Sequence, residues 1–324
     1  MYNLKNFRQE IVIPKLHYCI DHKREILLFG SCFSNEMLGW FQKGGFGAST
    51  YYGTVYNPIT LSNNINRSID NNVFGNNDLV SQNDIFFSWH HSGRYFSTTK
   101  KEDLLNHINQ EQNQLSRMLN KKPFIIVTFG SSIVYELNSS IGIVANCHKQ
   151  PSQLFNKKRL AINEIVDSWN SLINKIDADF IFTVSPVRHK RDGMSINNKS
   201  KAILLLSVEQ ICQSNPEKAS YFPSYELLLD ELRDYRFYSK DLAHPSTEAT
   251  EFIWNKFQDF SMDQNTINIS NKVMSIHKDL DHKSLYGNTK EYKLFKNKLK
   301  QKVIDISKQT PLYNWENRFK MIDK

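Results

Sequence analysis

The chain alternates short, nearly continuous apolar runs with longer segments whose apolar residues recur every three or four positions. Such runs are typical of strands buried on both faces, and the longer spacing is typical of helices packed on a core. The predicted strands are residues 25–29 (EILLF), 123–130 (PFIIVTFG) and 178–187 (ADFIFTVSPV). The predicted helices are residues 35–42, 102–120, 160–176, 199–214 and 247–260, with a strand-turn-helix candidate at 219–232. This alternation favours an α/β fold with a parallel sheet and right-handed crossovers.

No composition break divides the chain before about residue 260, so residues 1–260 are predicted to form one domain. Two stretches rich in glycine or asparagine, 44–53 and 63–78, are interpreted as loops within it. Residues 261–324 are predicted to be a basic, mainly helical extension that packs on the domain or trails it. Its apolar positions follow helical spacing at Leu294, Phe295, Leu299, Val303 and Ile306.

The net charge of +8 raises the question of a nucleic-acid partner. Much of the lysine lies in the amphipathic C-terminal segment. The chain has no zinc-finger spacing, RNP-type aromatic motif or helix-turn-helix pattern. We therefore predict no nucleic-acid partner. No segment approaches the roughly 20 apolar residues of a membrane span, and we find no export signal. The four cysteines lack disulfide or metal-site spacing. We therefore expect a cytoplasmic protein without a membrane span, metal or other cofactor, and leave its oligomeric state open.

In a parallel sheet the ligand site lies beyond the carboxyl ends of the strands. The segments that follow the predicted strands there are Gly30–Ser34, Gly130–Ser132 and Ser185–Arg188. The first reads GSCFS and places two potential nucleophiles, Ser31 and Cys32, at a strand-to-helix corner. A thiolate is favoured at a helix N-terminus near an imidazole, whereas a serine there suits an N-cap. Cys32 is the predicted nucleophile; the alternatives are Ser31 and an inert, buried Cys32.

The loop YSKDLAHPS (238–246) precedes a predicted helix and contains Asp241 three residues ahead of His244. An aspartate at this spacing can hold the imidazole in one tautomer and support its positive charge when it takes a proton. Pro245 and the residues after it suit a helix start, which would fix the histidine at the rim of the site. The alternative is a histidine with a purely structural role.

A nucleophile corner near the N-terminus and an Asp-x-x-His loop near the end of an α/β domain resemble the SGNH/GDSL hydrolase superfamily. Within it, the match to the GSCFA family, whose name spells the first motif, is closer. The resemblance extends over roughly residues 5–260 through YGTVYNP (52–58), FSWHHSGRYFS (87–97), TFGSSIVYE (128–136), VANCHKQP (144–151), TVSPVRHKRDG (183–193), YFPSYELLLDELRDYRFY (221–238) and DLAHPS (241–246). It implies a three-layer α/β/α, flavodoxin-like domain with a mainly parallel sheet.

The resemblance also implies roles for individual residues. Cys32 takes the nucleophile position, Ser31 the position of the superfamily's aspartate, and His244 the base position, oriented by Asp241. An oxyanion hole would draw on a glycine of a second block, here Gly53, and on an asparagine of a third block. That third block reads Gly130-Ser131-Ser132 and lacks the asparagine. The remaining candidates for oxyanion or substrate binding are Ser132, Asn57, Asn146, His148 and Arg188.

The function predicted from these features is hydrolysis of an ester, on a small molecule or an acylated sugar or glycan. An acyltransferase that uses the same site is one alternative, because both reactions need the same nucleophile and base. A degenerate, non-catalytic carbohydrate-binding module is the other, because the third-block asparagine is absent and loss of an oxyanion donor typically costs ~10²–10³ in rate.

Overall fold

The computed structural model describes residues 9–138, 141–281, 289–316, 318 and 319. Parts of both predicted regions, residues 1–8, 139–140, 282–288, 317 and 320–324, lie outside the described residues. The strands in chain order are β1 (Ile26–Gly30), β2 (Ala48–Thr54), β3 (Leu79–Gln82), β4 (Ile85–Ser88), β5 (Ser97–Thr98), β6 (Phe124–Phe129), β7 (Ile133–Leu137), β8 (Gly142–Val144), β9 (Phe155–Arg159), β10 (Asp179–Val184) and β11 (Ala219–Tyr221). The helices are α1 (Cys32–Lys43), α2 (Pro58–Ile69), α3 (Lys101–Leu119), α4 (Ile162–Lys175), α5 (Met194–Ser214), α6 (Ser224–Glu226, continued by a π-helical turn at Leu227–Leu232), α7 (Thr247–Ser261), α8 (Gln264–Asp281) and α9 (Lys290–Ser307).

Five parallel strands form the central sheet in the order β11-β10-β6-β1-β2. The chain runs outward from β1 to β2, then returns to the other side of β1 and continues through β6, β10 and β11. The direction of travel therefore reverses between β1 and β6. In open α/β sheets such a switch point leaves a crevice at the carboxyl edge, so the corners after β1 and β6 border the expected ligand position.

The two faces of the sheet carry separate apolar cores, which makes the domain three-layered. Leu27 and Phe29 of β1 belong to the core shared with α2, α3, α4 and α5. Ile26 and Leu28 belong to the core shared with α1, α7 and the π-helical turn. Successive side chains of a strand point to opposite faces, so an apolar run without alternation is what a doubly covered strand requires. The predicted α/β/α architecture is confirmed.

Gly30 permits β1 to lie beside β6 at the point where the chain turns into α1. Its φ is +119°, and a Cβ there would lie 2.0 Å from the carbonyl oxygen of Thr128. Any side chain would therefore collide with the neighbouring strand as well as strain the backbone. The Ser31 N–H donates to the same Thr128 carbonyl at 3.1 Å, which joins the corner to β6.

Two stretches interpreted as loops contain regular structure. Residues 44–53 include most of the edge strand β2, and residues 63–78 include the second half of α2. The β2 segment ASTYYGT has no apolar run, because an edge strand is covered less completely than a central one, and most of its residues are half-buried. Two small antiparallel sheets, β3-β4-β5 and β8-β7-β9, were also not predicted. Both are insertions, the second following β6 directly at the carboxyl edge.

Helices α8 and α9 form a small core of their own with Trp315. Leu299, Val303 and Ile306 are buried in it, whereas Leu294 of the predicted apolar stripe is 61% exposed. Helix α8 also contacts α1. None of the helices within the described ranges is both long and apolar enough to cross a membrane.

Candidate active site

The GSCFS corner begins α1 at the carboxyl end of β1. Ser31 is the N-cap residue: its hydroxyl accepts a hydrogen bond from the Phe33 N–H at 3.3 Å, and the residue is only 1% exposed. Cys32 is the first residue of the helix and is half-buried. The positive end of the helix dipole therefore lies at the thiol, where it favours a negative charge.

The hydroxyl of Tyr56 lies 3.1 Å from the Cys32 Sγ. The backbone of Tyr56 is held in place because its carbonyl accepts hydrogen bonds from the N–H groups of Gly130 and Ser131 at 2.9 and 3.0 Å. Burial, and then the contact with Cys32, raises the pKa of Tyr56. The hydroxyl thus keeps its proton at neutral pH and can donate it in a hydrogen bond to a thiolate.

The Asp-x-x-His loop forms the predicted pair. The Nδ1 of His244 lies 2.6 Å from Oδ2 of Asp241, and Oδ1 of the same carboxylate accepts from the N–H groups of Ala243 and His244. The hydrogen bond with His244, followed by these two backbone bonds, lowers the pKa of Asp241 well below its usual range. Within the described residues the His244 Nε2 has no hydrogen-bond partner, which leaves it able to accept a proton.

Cys32 and His244 line one cavity of about 190 Å³, here called the reactive pocket. Its other walls come from Phe33 and Glu36 of α1, from Val187, and from the loop and first turn of α7 that follow Ser239. Among the described residues no hydrogen bond joins the Cys32 Sγ directly to His244; the sulfur is paired with Tyr56 instead. The pocket lies where α1 and α7 begin, beyond the carboxyl ends of β1 and β10.

The segment after β10 supports the Asp-x-x-His loop. The Arg188 N–H donates to the Ala243 carbonyl at 3.1 Å, and its guanidinium lies 4.0 Å from the centre of the Tyr238 ring. Arg188 makes no ion pair with a carboxylate in the described part of the chain. The ring of the next residue, His189, meets Tyr56 edge-on at 5.7 Å, and burial together with the charge of Lys201 lowers the pKa of His189 to about 4.

Several candidate oxyanion donors use their hydrogen-bonding groups within the fold. The Asn57 side chain caps α2 and donates to the Val144 carbonyl, and the Ser132 hydroxyl donates to the backbone carbonyl and the hydroxyl of Ser200. The His148 Nε2 bonds to the carbonyl of Ser88 at 2.7 Å. These three are buried.

Gly53 and Asn146 lie at other cavities. Gly53 has a φ of +64° and lines a separate cavity of about 450 Å³ near Asn35 and Tyr95. Asn146 lines a third cavity of about 670 Å³, which Tyr56 also lines. The structure thus brings Cys32 and His244 to the reactive pocket, with Ser31 beside Cys32 as the cap of α1 and Asp241 bonded to His244. The other candidates do not line this pocket.

Lys201 is a site-supporting residue that the sequence did not reveal. The residue is 1% exposed, and its Nζ donates to the carbonyls of Gly130 and Ser185, at 2.8 and 2.7 Å. It therefore ties together the chain segments that leave β6 and β10. Burial lowers the pKa of Lys201 to about 7. Tyr56 was also missed as a site residue: it lies within the quoted YGTVYNP block, but nothing local marks its hydroxyl as a partner of Cys32.

No group of three His, Cys, Asp or Glu side chains that could hold a metal ion occurs within the described residues. The model of the GSCFA family matches residues 25–257 of this chain, a span that begins just before β1 and ends within α7. No curated protein and no solved structure matches the chain.

Proposed function

The chain belongs to the GSCFA family, and from that premise we propose that it hydrolyses a carboxylic ester through a thioester formed on Cys32. His244 serves as the general base and acid, and Asp241 orients its ring. The single observation that carries the proposal is that Cys32 and His244 line the same reactive pocket while Asp241 holds the far side of the imidazole.

The reaction follows from these positions. His244 Nε2 removes the thiol proton, and the Cys32 sulfur attacks the acyl carbon to form a tetrahedral adduct. Collapse of the adduct breaks the bond to the alcohol oxygen, which takes the proton from His244, and leaves a thioester. Water then attacks the thioester with His244 again as base, and the products are the carboxylic acid and the restored thiol. Because no hydrogen bond joins Cys32 to His244 in the resting chain, the sulfur must exchange Tyr56 for the imidazole when the substrate binds.

Two donors are available for the oxyanion of the adduct. The N–H of Cys32, at the first position of α1, has no hydrogen-bond partner in the described part of the chain. The hydroxyl of Tyr56 is the second donor, and its raised pKa keeps it protonated. The N–H groups of Gly130 and Ser131 are already engaged by the Tyr56 carbonyl. Tyr56 would thus supply the polar donor that the missing asparagine does not.

Hydrolysis of p-nitrophenyl acetate by purified variants tests the assignment. Cys32→Ala and His244→Ala should each lower kcat/KM to near the uncatalysed rate, and Asp241→Asn should lower it about 10²–10⁴-fold because the imidazole loses its orientation. Cys19→Ala is the matched control, since Cys19 is an exposed thiol outside the reactive pocket. Activity that persists in both Cys32→Ala and His244→Ala would contradict the proposal.

Transfer of the acyl group to another alcohol is a second candidate, favoured by the 670 Å³ cavity on the far side of Tyr56. This volume exceeds that of the reactive pocket more than threefold and leaves room for an acceptor. Product analysis at rising acceptor alcohol concentration separates the two: an ester product supports transfer, and free acid alone supports hydrolysis. A protein that forms no acyl-enzyme with any ester would instead be the non-catalytic binding module.

A further inference from the structure

The cavity that Asn146 and Tyr56 line, here called the basic cleft, opens beside the reactive pocket. It measures about 670 Å³ and is lined, among others, by Tyr56, Tyr135, Asn146, Lys149, Phe155 and Arg191. Its walls come from β7 and β9 of the small sheet that follows β6, from the loop around Asn146, and from the segment that leaves β10. The insertion that follows β6 and the segment that leaves β10 therefore build one cleft at the carboxyl edge of the main sheet.

The side chain of Tyr56 connects the basic cleft to Cys32. Tyr56 lines the cleft, and its hydroxyl lies 3.1 Å from the Cys32 Sγ in the reactive pocket. The segment after β10 borders both cavities, because Val187 lines the reactive pocket and Arg191 lines the cleft. A substrate whose acyl carbon meets the sulfur can therefore extend its alcohol portion past Tyr56 into the cleft.

The charges of the two cavities differ. Lys149 and Arg191 line the cleft, and neither has a carboxylate within ion-pair distance among the described residues. Lys157 is already paired with Asp192 at 2.6 Å. The charged residue of α1 that lines the reactive pocket is the acid Glu36. Two unpaired cations in the cleft favour an anionic ligand group there, while Glu36 disfavours one at the acyl end.

The loop that carries Lys149 is held in an uncommon conformation. His148 and Lys149 both have positive φ, 47° and 57°, which is rare for residues with side chains. The carboxamide oxygen of Asn146 accepts the His148 N–H at 2.8 Å, and Gln82 donates to the Lys149 carbonyl at 3.2 Å. Across the cleft the half-buried rings of Tyr135 and Phe155 lie edge to face, 6.4 Å apart. The cleft therefore combines two aromatic rings with two exposed cations.

We propose that the basic cleft binds the alcohol portion of the substrate, a ring that carries a carboxylate or phosphate group. This inference rests on the proposed function, because only that function makes the bound molecule a substrate. The ring packs on Tyr135 and Phe155, the anion pairs with Lys149 and Arg191, and the ester oxygen points past Tyr56 toward Cys32.

Cys147, which lines the cleft, supplies a readout that is independent of catalysis. In Cys32→Ala protein, iodoacetamide labelling is followed at each cysteine by mass spectrometry at pH 8.5, because burial raises the pKa of Cys147. The probes are 4-acetamidobenzoate, a ring with a carboxylate and no cleavable ester, and its neutral methyl ester. Labelling of the exposed Cys19 is the internal reference.

The carboxylate probe should slow labelling of Cys147 in a saturable way, and the methyl ester should not. Arg191→Gln and Lys149→Gln should each weaken this protection about two- to fivefold, the effect of an exposed ion pair at the upper part of its range. Lys296→Gln, the same charge change on α9, should leave it intact. Equal protection by both probes, or none by either, would overturn the assignment of an anion-binding site to the basic cleft. If the protein with Cys32 intact shows no esterase activity, only the proposed function is contradicted. The labelling experiment uses Cys32→Ala protein and does not depend on catalysis.

Discussion

Replacing Tyr56 with phenylalanine should slow alkylation of Cys32 while keeping the fold intact. The substitution removes one oxygen atom, the one 3.1 Å from the sulfur, and keeps the ring that packs against His189. A neutral donor bonded to an ionised acceptor contributes about 1.5–3 kcal/mol. Since each 1.4 kcal/mol is tenfold, loss of this hydrogen bond should slow labelling of Cys32 at pH 7 about 10- to 100-fold.

The assay is a time course of iodoacetamide labelling at pH 7, mapped by mass spectrometry and expressed relative to the exposed Cys19. Tyr292→Phe is the matched control, because it removes a tyrosine hydroxyl on α9 with no contact to Cys32. The melting temperature of each variant shows that the fold persists. If Cys32 in Tyr56→Phe labels as fast as in the unchanged protein, or faster, the hydroxyl does not stabilise the thiolate, and its role as an oxyanion donor loses its support.

Two further predictions concern stability. Gly30→Ala should destabilise the chain by about 3 kcal/mol or more in urea unfolding, because its Cβ would lie 2.0 Å from the Thr128 carbonyl oxygen at a φ of +119°. Gly39→Ala, where a Cβ meets nothing within 4 Å, should be neutral or stabilise α1 by up to about 1 kcal/mol; equal losses for both would refute the steric argument. Burial lowers the pKa of Lys201 from 10.5 to about 7. Between pH 7 and 10.5 the unfolded chain therefore binds a proton at Lys201 that the folded chain does not. The free energy of unfolding should rise with pH over this range, by up to about 1.4 kcal/mol per pH unit. Lys201→Met should flatten this rise between pH 7 and 9, and an unchanged slope would contradict the lowered pKa of Lys201.

The sequence alone determined the features that depend on neighbours in the chain. Apolar runs without alternation predicted strands covered on both faces, and β1, β6 and β10 are buried in that way. The contact between Asp241 and His244 spans three residues, so a loop of fixed length brings the pair together. The cap formed by Ser31 is equally local. In each case the geometry follows from the backbone period or from a short turn, which a linear pattern can express.

Only the tertiary structure decided which distant residues meet at the site. Tyr56 reaches Cys32 across 24 positions, and Lys201 reaches Gly130 across 71. Both contacts depend on the order of the strands, which places β1 between β2 and β6 and brings α5 against the ends of β6 and β10. The edge strand β2 escaped prediction because its half-buried surface needs no apolar run. A hydrogen bond between side chains has a range of about 3 Å, so its partners are set by packing and leave no periodic trace in the sequence.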